Sequence, residues 1–229
     1  PLTADPEAAE RLFDAAEDAG LILMEAFMWR HSPQTAKLLQ LVEGGVIGEL
    51  RLIRATFSFP VEGRRNIRLD PTLGGGALAD VGTYGVSAAR LLAGEPERVY
   101  GEHVIGDTGV DVLFSGTLRF PRGILAQVDA GMELPRRDGL EAVGTEGSLV
   151  LPDPWIGRRL LLHLRRGESR EEIALPPADS YRLELENMSA AIRGEAEPLL
   201  GRKDAVGQAR ALDALRRSAE AARPVELTG

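Results

Sequence analysis

Asp80 and Tyr84 stand four residues apart in the run Gly74-Gly75-Gly76-Ala77-Leu78-Ala79-Asp80-Val81-Gly82-Thr83-Tyr84. In a helix that spacing puts a carboxylate and a phenol on one face. Gly82 and Gly85 flank the tyrosine. A glycine inside a helix costs up to ~1 kcal/mol relative to alanine. Two of them imply that something approaches the backbone closely there. A phenol with an ordinary pKa near ~10 exchanges protons poorly at neutral pH. A neighbouring cation that lowers this value turns it into a usable acid–base. Periodicity alone leaves two readings open: a proton-transfer pair, or a core tyrosine with Asp80 capping a helix.

Other chemistries drop out. His31, His103 and His163 show no metal-ligand spacing, so no metal site is expected. There is no Gly-x-Ser-x-Gly elbow and no cysteine. The glycine run is not a phosphate loop, because no lysine follows it and no apolar strand precedes it. The Gly-x-Gly-x-x-Gly register fails at Ala79, so the dinucleotide fingerprint is absent. The net charge is −8 and the pI about 5.1. The short basic runs Arg64-Arg65, Arg136-Arg137, Arg158-Arg159, Arg165-Arg166 and Arg216-Arg217 sit beside acids. They read as solvated faces rather than a nucleic-acid stripe. No apolar run approaches the ~18 residues of a membrane span. No signal peptide is visible, and a cytoplasmic protein with neither membrane nor nucleic-acid partner is expected.

The elements that must position Tyr84 follow from periodicity. Asp5 to Gly20 reads as a helix, capped by Thr3 or Asp5, with Pro6 in its first turn. Leu21-Ile22-Leu23-Met24 reads as a short buried strand. A lone helix–strand pair cannot bury both faces, so the chain is expected to begin inside an α/β domain. Ser32 to Gly44 is a second helix, with Ser32 as cap. Leu50 to Phe59 alternates at period two and predicts a strand with one covered face. Pro60 to Leu73 is a long polar loop, and Gly74 to Gly94 is glycine-rich and then helical. Val110–Phe120 and Ile124–Met132, joined by Pro121-Arg122-Gly123, predict an antiparallel hairpin. Further strands are expected at Leu140–Val143, Ser148–Leu151, Leu160–Leu164 and Glu171–Leu175. Two helices close the chain, Tyr181–Arg193 and Asp204–Ala222, the last capped by Asp204. The fold class is therefore α+β: an open, largely antiparallel mixed sheet with helices on one face, preceded by a remnant helix–strand.

The glycine run through Tyr84 resembles a signature of the glucose–fructose oxidoreductase / inositol dehydrogenase / rhizopine-catabolism (Gfo/Idh/MocA) family. Three other segments resemble the same family in order and spacing: Glu25-Ala26-Phe27-Met28-Trp29-Arg30-His31-Ser32-Pro33, Asn66-Ile67-Arg68-Leu69-Asp70-Pro71 and Gly144-Thr145-Glu146-Gly147. The Phe-Met-Trp-Arg version and Tyr84 resemble the branch with dihydrodiol dehydrogenase and NADP-dependent xylose dehydrogenase. The resemblance implies a Rossmann domain ending within residues 1–25 and a substrate-binding and oligomerisation domain over 26–229.

By the same resemblance Tyr84 is the general acid/base and Asp80 orients substrate or the tyrosine. Arg68, Trp29 and Arg30 line the nicotinamide–substrate cleft. Pro1 resembles the last residue of a Glu-Lys-Pro motif, whose lysine would be the residue before it. Tyr84 stands where a histidine is more common, which suits proton donation to a sugar or diol oxygen. The function implied is hydride transfer between NAD or NADP and a sugar, polyol or diol. No cofactor is expected on this chain alone, which by itself should be inactive. A homodimer or larger assembly through the sheet face is expected. The alternative is a non-catalytic binding or dimerisation module.

Overall fold

The computed structural model describes residues 1–63 and 66–227, so the Arg64-Arg65 pair lies outside the described residues. Helix α1 (Pro6–Asp18) forms as its signals predict. Asp5 is its N-cap, and the carboxylate accepts the Glu7 and Ala8 N–H groups. Leu21–Met24, expected as a buried strand, makes no ladder, and Leu21 is 67% exposed. A strand needs a neighbouring edge for its N–H and C=O groups, and no strand among the described residues runs beside it. The chain is fixed just beyond, where the Glu25 N–H donates to the Leu200 carbonyl.

Helix α2 (Pro33–Glu43) starts at Pro33, as expected. Ser32 holds the N-cap position but makes no capping bond; its hydroxyl is buried without a partner. The fixed φ of Pro33 is what starts this helix.

One sheet of nine strands organises the described residues, in the order β8-β7-β6-β5-β1-β4-β3-β2-β9. The strands are β1 (Leu50–Ser58), β2 (Arg98–Ile105), β3 (Asp111–Arg119), β4 (Leu125–Gly131) and β5 (Arg137–Gly144). They continue as β6 (Ser148–Leu151), β7 (Leu161–Arg166), β8 (Ser169–Ala174) and the short β9 (Val225–Glu226). Ile53, Ala55 and Phe57 of β1 are buried on one face, as the alternation required. The predicted hairpin is β3–β4. β1 and β4 form the sole parallel pair in the described sheet; every other pairing is antiparallel.

The helices α3 (Thr83–Ala93) and α5 (Arg202–Ala221) cover the apolar face. A Cβ on Gly85 of α3 would touch Val128 of β4 and Ala55 of β1, so α3 rides on the sheet centre. Leu215 of α5 lies against Gly101 of β2 and Gly116 of β3. Helix α4 (Ser180–Ile192) is capped by Asp179 and packs over Met28–His31. Helix α5 starts at Arg202, two residues earlier than its signals suggested, with Gly201 at the cap. Asp204, expected as that cap, instead lies inside the first turn, where Arg30 takes its carboxylate at 3.3 Å. The opposite face of β1, β4 and β5 carries Arg54, Thr56, Gln127, Asp129, Arg137 and Glu141 around an open depression. No helix among the described residues is long and apolar enough to cross a membrane.

Candidate functional site

The polar stretch before the glycine run folds into two single 3₁₀ turns. Asn66 caps Ile67–Leu69 by accepting the Arg68 N–H, and Asp70 caps Pro71–Leu73 by accepting the Thr72 N–H. Gly75 packs against this turn; a Cβ there would lie 2.5 Å from the Arg68 carbonyl oxygen. The chain then enters a π-helical turn, Leu78–Gly82, which runs directly into α3. Such turns are rare and recur at functional sites. This folding brings Arg68 back onto the helix start, where its Nε donates to Asp80 Oδ2 at 2.8 Å. Asp80 therefore does not cap the helix; it is the anchor of an ion pair that is partly shielded from water. Burial pushes its carboxyl pKa up, and the Arg68 guanidinium opposes that shift.

Tyr84 is half-buried one turn further on. Its ring lies 4.8 Å from Phe27, 5.2 Å from Phe57 and 5.7 Å from Trp155, centroid to centroid. The phenol pKa is pushed up to about 12, first by burial and then by Tyr181, Asp80 and Glu184. Arg68 acts in the other direction and is outweighed. The lowering by a nearby cation that the chemistry calls for is thus not supplied by Arg68. The phenol is protonated at neutral pH, and burial makes it a weaker acid than a free tyrosine.

Trp29 and Arg30 stand apart from this group. Trp29 is 1% exposed and meets Trp155 edge-on at 5.4 Å. Arg30 reaches away to Ser87 Oγ at 3.2 Å and to Asp204. It belongs to a buried charge cluster beneath α3. There Arg90 donates to Glu95 through two bonds and to Gln208 Oε1 at 3.0 Å, while Gln208 Nε2 donates to the Thr83 carbonyl. Glu25, 3% exposed, accepts the Leu2 N–H at 2.7 Å and lies 3.8 Å from the Pro1 amine. The cluster ties the segment before α2, helix α3 and helix α5 into one unit.

Arg68 meets Asp80 one turn before Tyr84, whereas Trp29 is buried against Trp155 and Arg30 turns toward Ser87 and Asp204. Phe57, Trp155, Tyr181 and Glu184 join the tyrosine from distant positions, with no local pattern to mark them. The glycine run does not make a phosphate cradle. The Gly75 and Gly76 N–H groups already donate to the Asp70 and Arg68 carbonyls. Among the described residues no group of three or more His, Cys, Asp or Glu could hold a metal ion.

Residues 35–150 match the family model described as the GFO/IDH/MocA C-terminal domain. The chain is similar to D-xylose 1-dehydrogenase (NADP(+)) 2 of Haloferax volcanii, with 37% identity over 234 residues, 99% of this chain and 71% of the relative. A 3-ketoreductase from Actinomadura kijaniata, solved with NADP and TDP-benzene, superposes with a TM-score of 0.89 at 33% identity, over 95% of this chain and 69% of that one. That enzyme has also been solved as a tyrosine-to-phenylalanine and a lysine-to-alanine mutant. The aldose–aldose oxidoreductase from Caulobacter crescentus, complexed with glycerol, shares the fold with a TM-score of 0.92 at 24% identity, over 99% of this chain and 70% of that one.

Proposed function

The chain belongs to the Gfo/Idh/MocA oxidoreductase family, and from that membership we propose that it is the substrate-binding part of an NAD(P)-dependent enzyme acting on a sugar, polyol or diol. Residues 26–229 form the substrate and oligomerisation domain, and residues 1–25 close a nucleotide-binding domain. The observation that carries this reading is Tyr84, a phenol set among aromatic rings one turn beyond the Arg68–Asp80 pair.

Interconverting a carbonyl and an alcohol moves a hydride at carbon and a proton at oxygen. Tyr84 handles the proton. In the reducing direction its hydroxyl donates to the substrate oxygen; in the oxidising direction the phenolate takes the proton back. The second step needs a cation beside the phenol, and Arg68 is engaged by Asp80. A lysine immediately before Pro1 is the proposed source. The mutated lysine and tyrosine of the Actinomadura enzyme are as far apart in sequence as Tyr84 is from that position. Arg68 and Asp80 orient the substrate hydroxyls, and the aromatic rings around Tyr84 exclude water.

The engaged amides of the glycine run do not fit a dinucleotide phosphate, so the cofactor phosphates are assigned to no residue described here. The 229-residue chain should accordingly bind NADPH weakly; tight, saturable binding would remove that assignment. The open polar face of β1, β4 and β5 is the proposed contact between copies, and light scattering that gives a monomer at high concentration speaks against it. The decisive experiment expresses the coding sequence together with whatever precedes Pro1. Aldoses, polyols and diols are then screened with NAD and NADP. Turnover that Tyr84→Phe abolishes supports the reading. No coupled turnover with any of them, or full turnover by the variant, rejects it.

A further inference from the structure

We infer that Asp111 is a positioning residue of this site: its carboxylate, reached across from β3, holds the π-helical turn that aims Asp80 and Tyr84. The inference rests on the reading of Tyr84 as the proton-transfer group.

The first N–H groups of any helical turn lack internal partners. A π-helical turn is moreover an unfavourable form that persists when its surroundings hold it. Here the N-cap position is Ala77, which has no side-chain acceptor. Asp80, the acid nearest in sequence, is held by Arg68. The acceptor comes instead from Asp111, whose Oδ2 receives the Leu78 N–H at 2.8 Å. The Ala77 amide bears on the same carboxylate. The other oxygen lies over Gly76, where a Cβ would stand 2.1 Å from Asp111 Oδ1. Gly76 has φ +130°, a conformation that a side chain would strain.

The third glycine of the run is therefore room for a carboxylate. Asp111 opens β3, which is hydrogen-bonded on both sides by β2 and β4. The turn is consequently tied to the sheet at the start of β3. Burial pushes the Asp111 carboxyl pKa up, and the amides of the turn hold it down, as expected of an acceptor working against its own desolvation. Neither the motif nor its spacing marks this residue, because it acts through backbone groups.

The test uses the complete enzyme with three variants beside Tyr84→Phe. Asp111→Ala removes the acceptor. Misplacing a reacting group by about 1 Å can cost up to ~10²-fold in rate, so kcat is expected to fall ~10- to 100-fold while the KM for NAD(P) stays within about 2-fold. Asp111→Asn keeps a carbonyl oxygen for the Leu78 N–H and is expected to recover most of that loss. Gly76→Ala presses on the same contact with Asp111 intact and should mimic Asp111→Ala; combining the two should add little, as for residues acting through one contact. This pair also covers the case in which Asp111→Ala fails to fold.

Amide hydrogen exchange supplies a readout independent of turnover. Peptides covering Leu78 to Tyr84 should exchange faster in Asp111→Ala, with β1 unchanged. Parental kcat in Asp111→Ala overturns the inference. So does an asparagine variant as slow as the alanine one, and so does unchanged exchange. Full turnover in Tyr84→Phe removes the reading of Tyr84 instead, and exchange then still decides whether Asp111 holds the turn.

Discussion

Replacing Gly85 by alanine tests whether the absence of a side chain is what seats α3 on the sheet. The added Cβ would stand 2.7 Å from Val128 Cγ1 and 3.1 Å from Ala55 Cβ. Carbon atoms in good contact are about 3.5–4.0 Å apart, so the helix must lift by roughly 1 Å or the strands must give. Val128 is 2% exposed and β-branched, hence stiff at χ1, and cannot swing away. Overfilling such a core costs about 1–3 kcal/mol. Alanine returns up to ~1 kcal/mol of helix propensity. The difference leaves a net destabilisation of up to about 2 kcal/mol, or up to about 8 °C in Tm for a chain of this size. Gly82→Ala is the control on the same helix approach. Its Cβ would meet Leu78 Cδ1 at 3.2 Å and Ala130 Cβ at 3.3 Å, and the leucine end can move. A smaller loss than in Gly85→Ala is expected there, because the tightest contact is 3.2 Å rather than 2.7 Å and its far side can move. Thermal and urea unfolding of both variants, followed in parallel by circular dichroism, reads the comparison. Turnover should fall in Gly85→Ala alone, because lifting α3 carries the adjacent Tyr84. A Gly85→Ala protein that melts at or above the parent, or equal losses in the two variants, refutes the seating argument.

Tyr84→Phe should lower kcat by ~10²-fold or more with an unchanged unfolding midpoint, since a hydroxyl that only exchanges protons adds little to packing; steady-state kinetics and a melt check both halves. Arg90→Met strands Gln208 Oε1 and leaves Asp204 and Glu95 without that guanidinium. It should cost about 2–4 kcal/mol in urea unfolding, less than a fully buried pair because Glu95 is half-exposed. Glu184 is 9% exposed with Oε1 unpartnered, and burial raises its carboxyl pKa. A folded pKa above the unfolded one means stability that is present at acid pH and lost as pH rises through the folded value. Glu184→Gln should therefore be more stable than the parent near pH ~7 and equal to it below the ordinary carboxylate pKa of ~4.3. Urea midpoints at the two ends of that range give the answer, and a variant less stable than the parent at neutral pH contradicts the sign.

The local signals were sufficient for most elements. Asp5 and Pro6 announced α1, the alternation through Ile53, Ala55 and Phe57 announced the covered face of β1, and the glycine-flanked Tyr84 announced a close helix–sheet contact. Arg68, Asp80 and Tyr84 were legible because they lie within one stretch whose own turns fold Arg68 onto Asp80. The errors share a cause. Leu21–Met24 has strand composition, but a strand exists only where another edge accepts it. Asp204 has cap composition, but it is claimed by Arg30, which lies far from it in the sequence.

Residue type and spacing by themselves determined the periodicities, the turn positions and which few side chains could exchange a proton. Tertiary structure alone decided which partners those side chains have. Trp155 reaches Tyr84, and Asp111 reaches Leu78, because β1 pairs in parallel with β4 while β3 and β5 flank them. Helix and strand periods report only neighbours within a few residues, whereas burial and hydrogen-bond satisfaction are settled by chain segments that meet across the sheet.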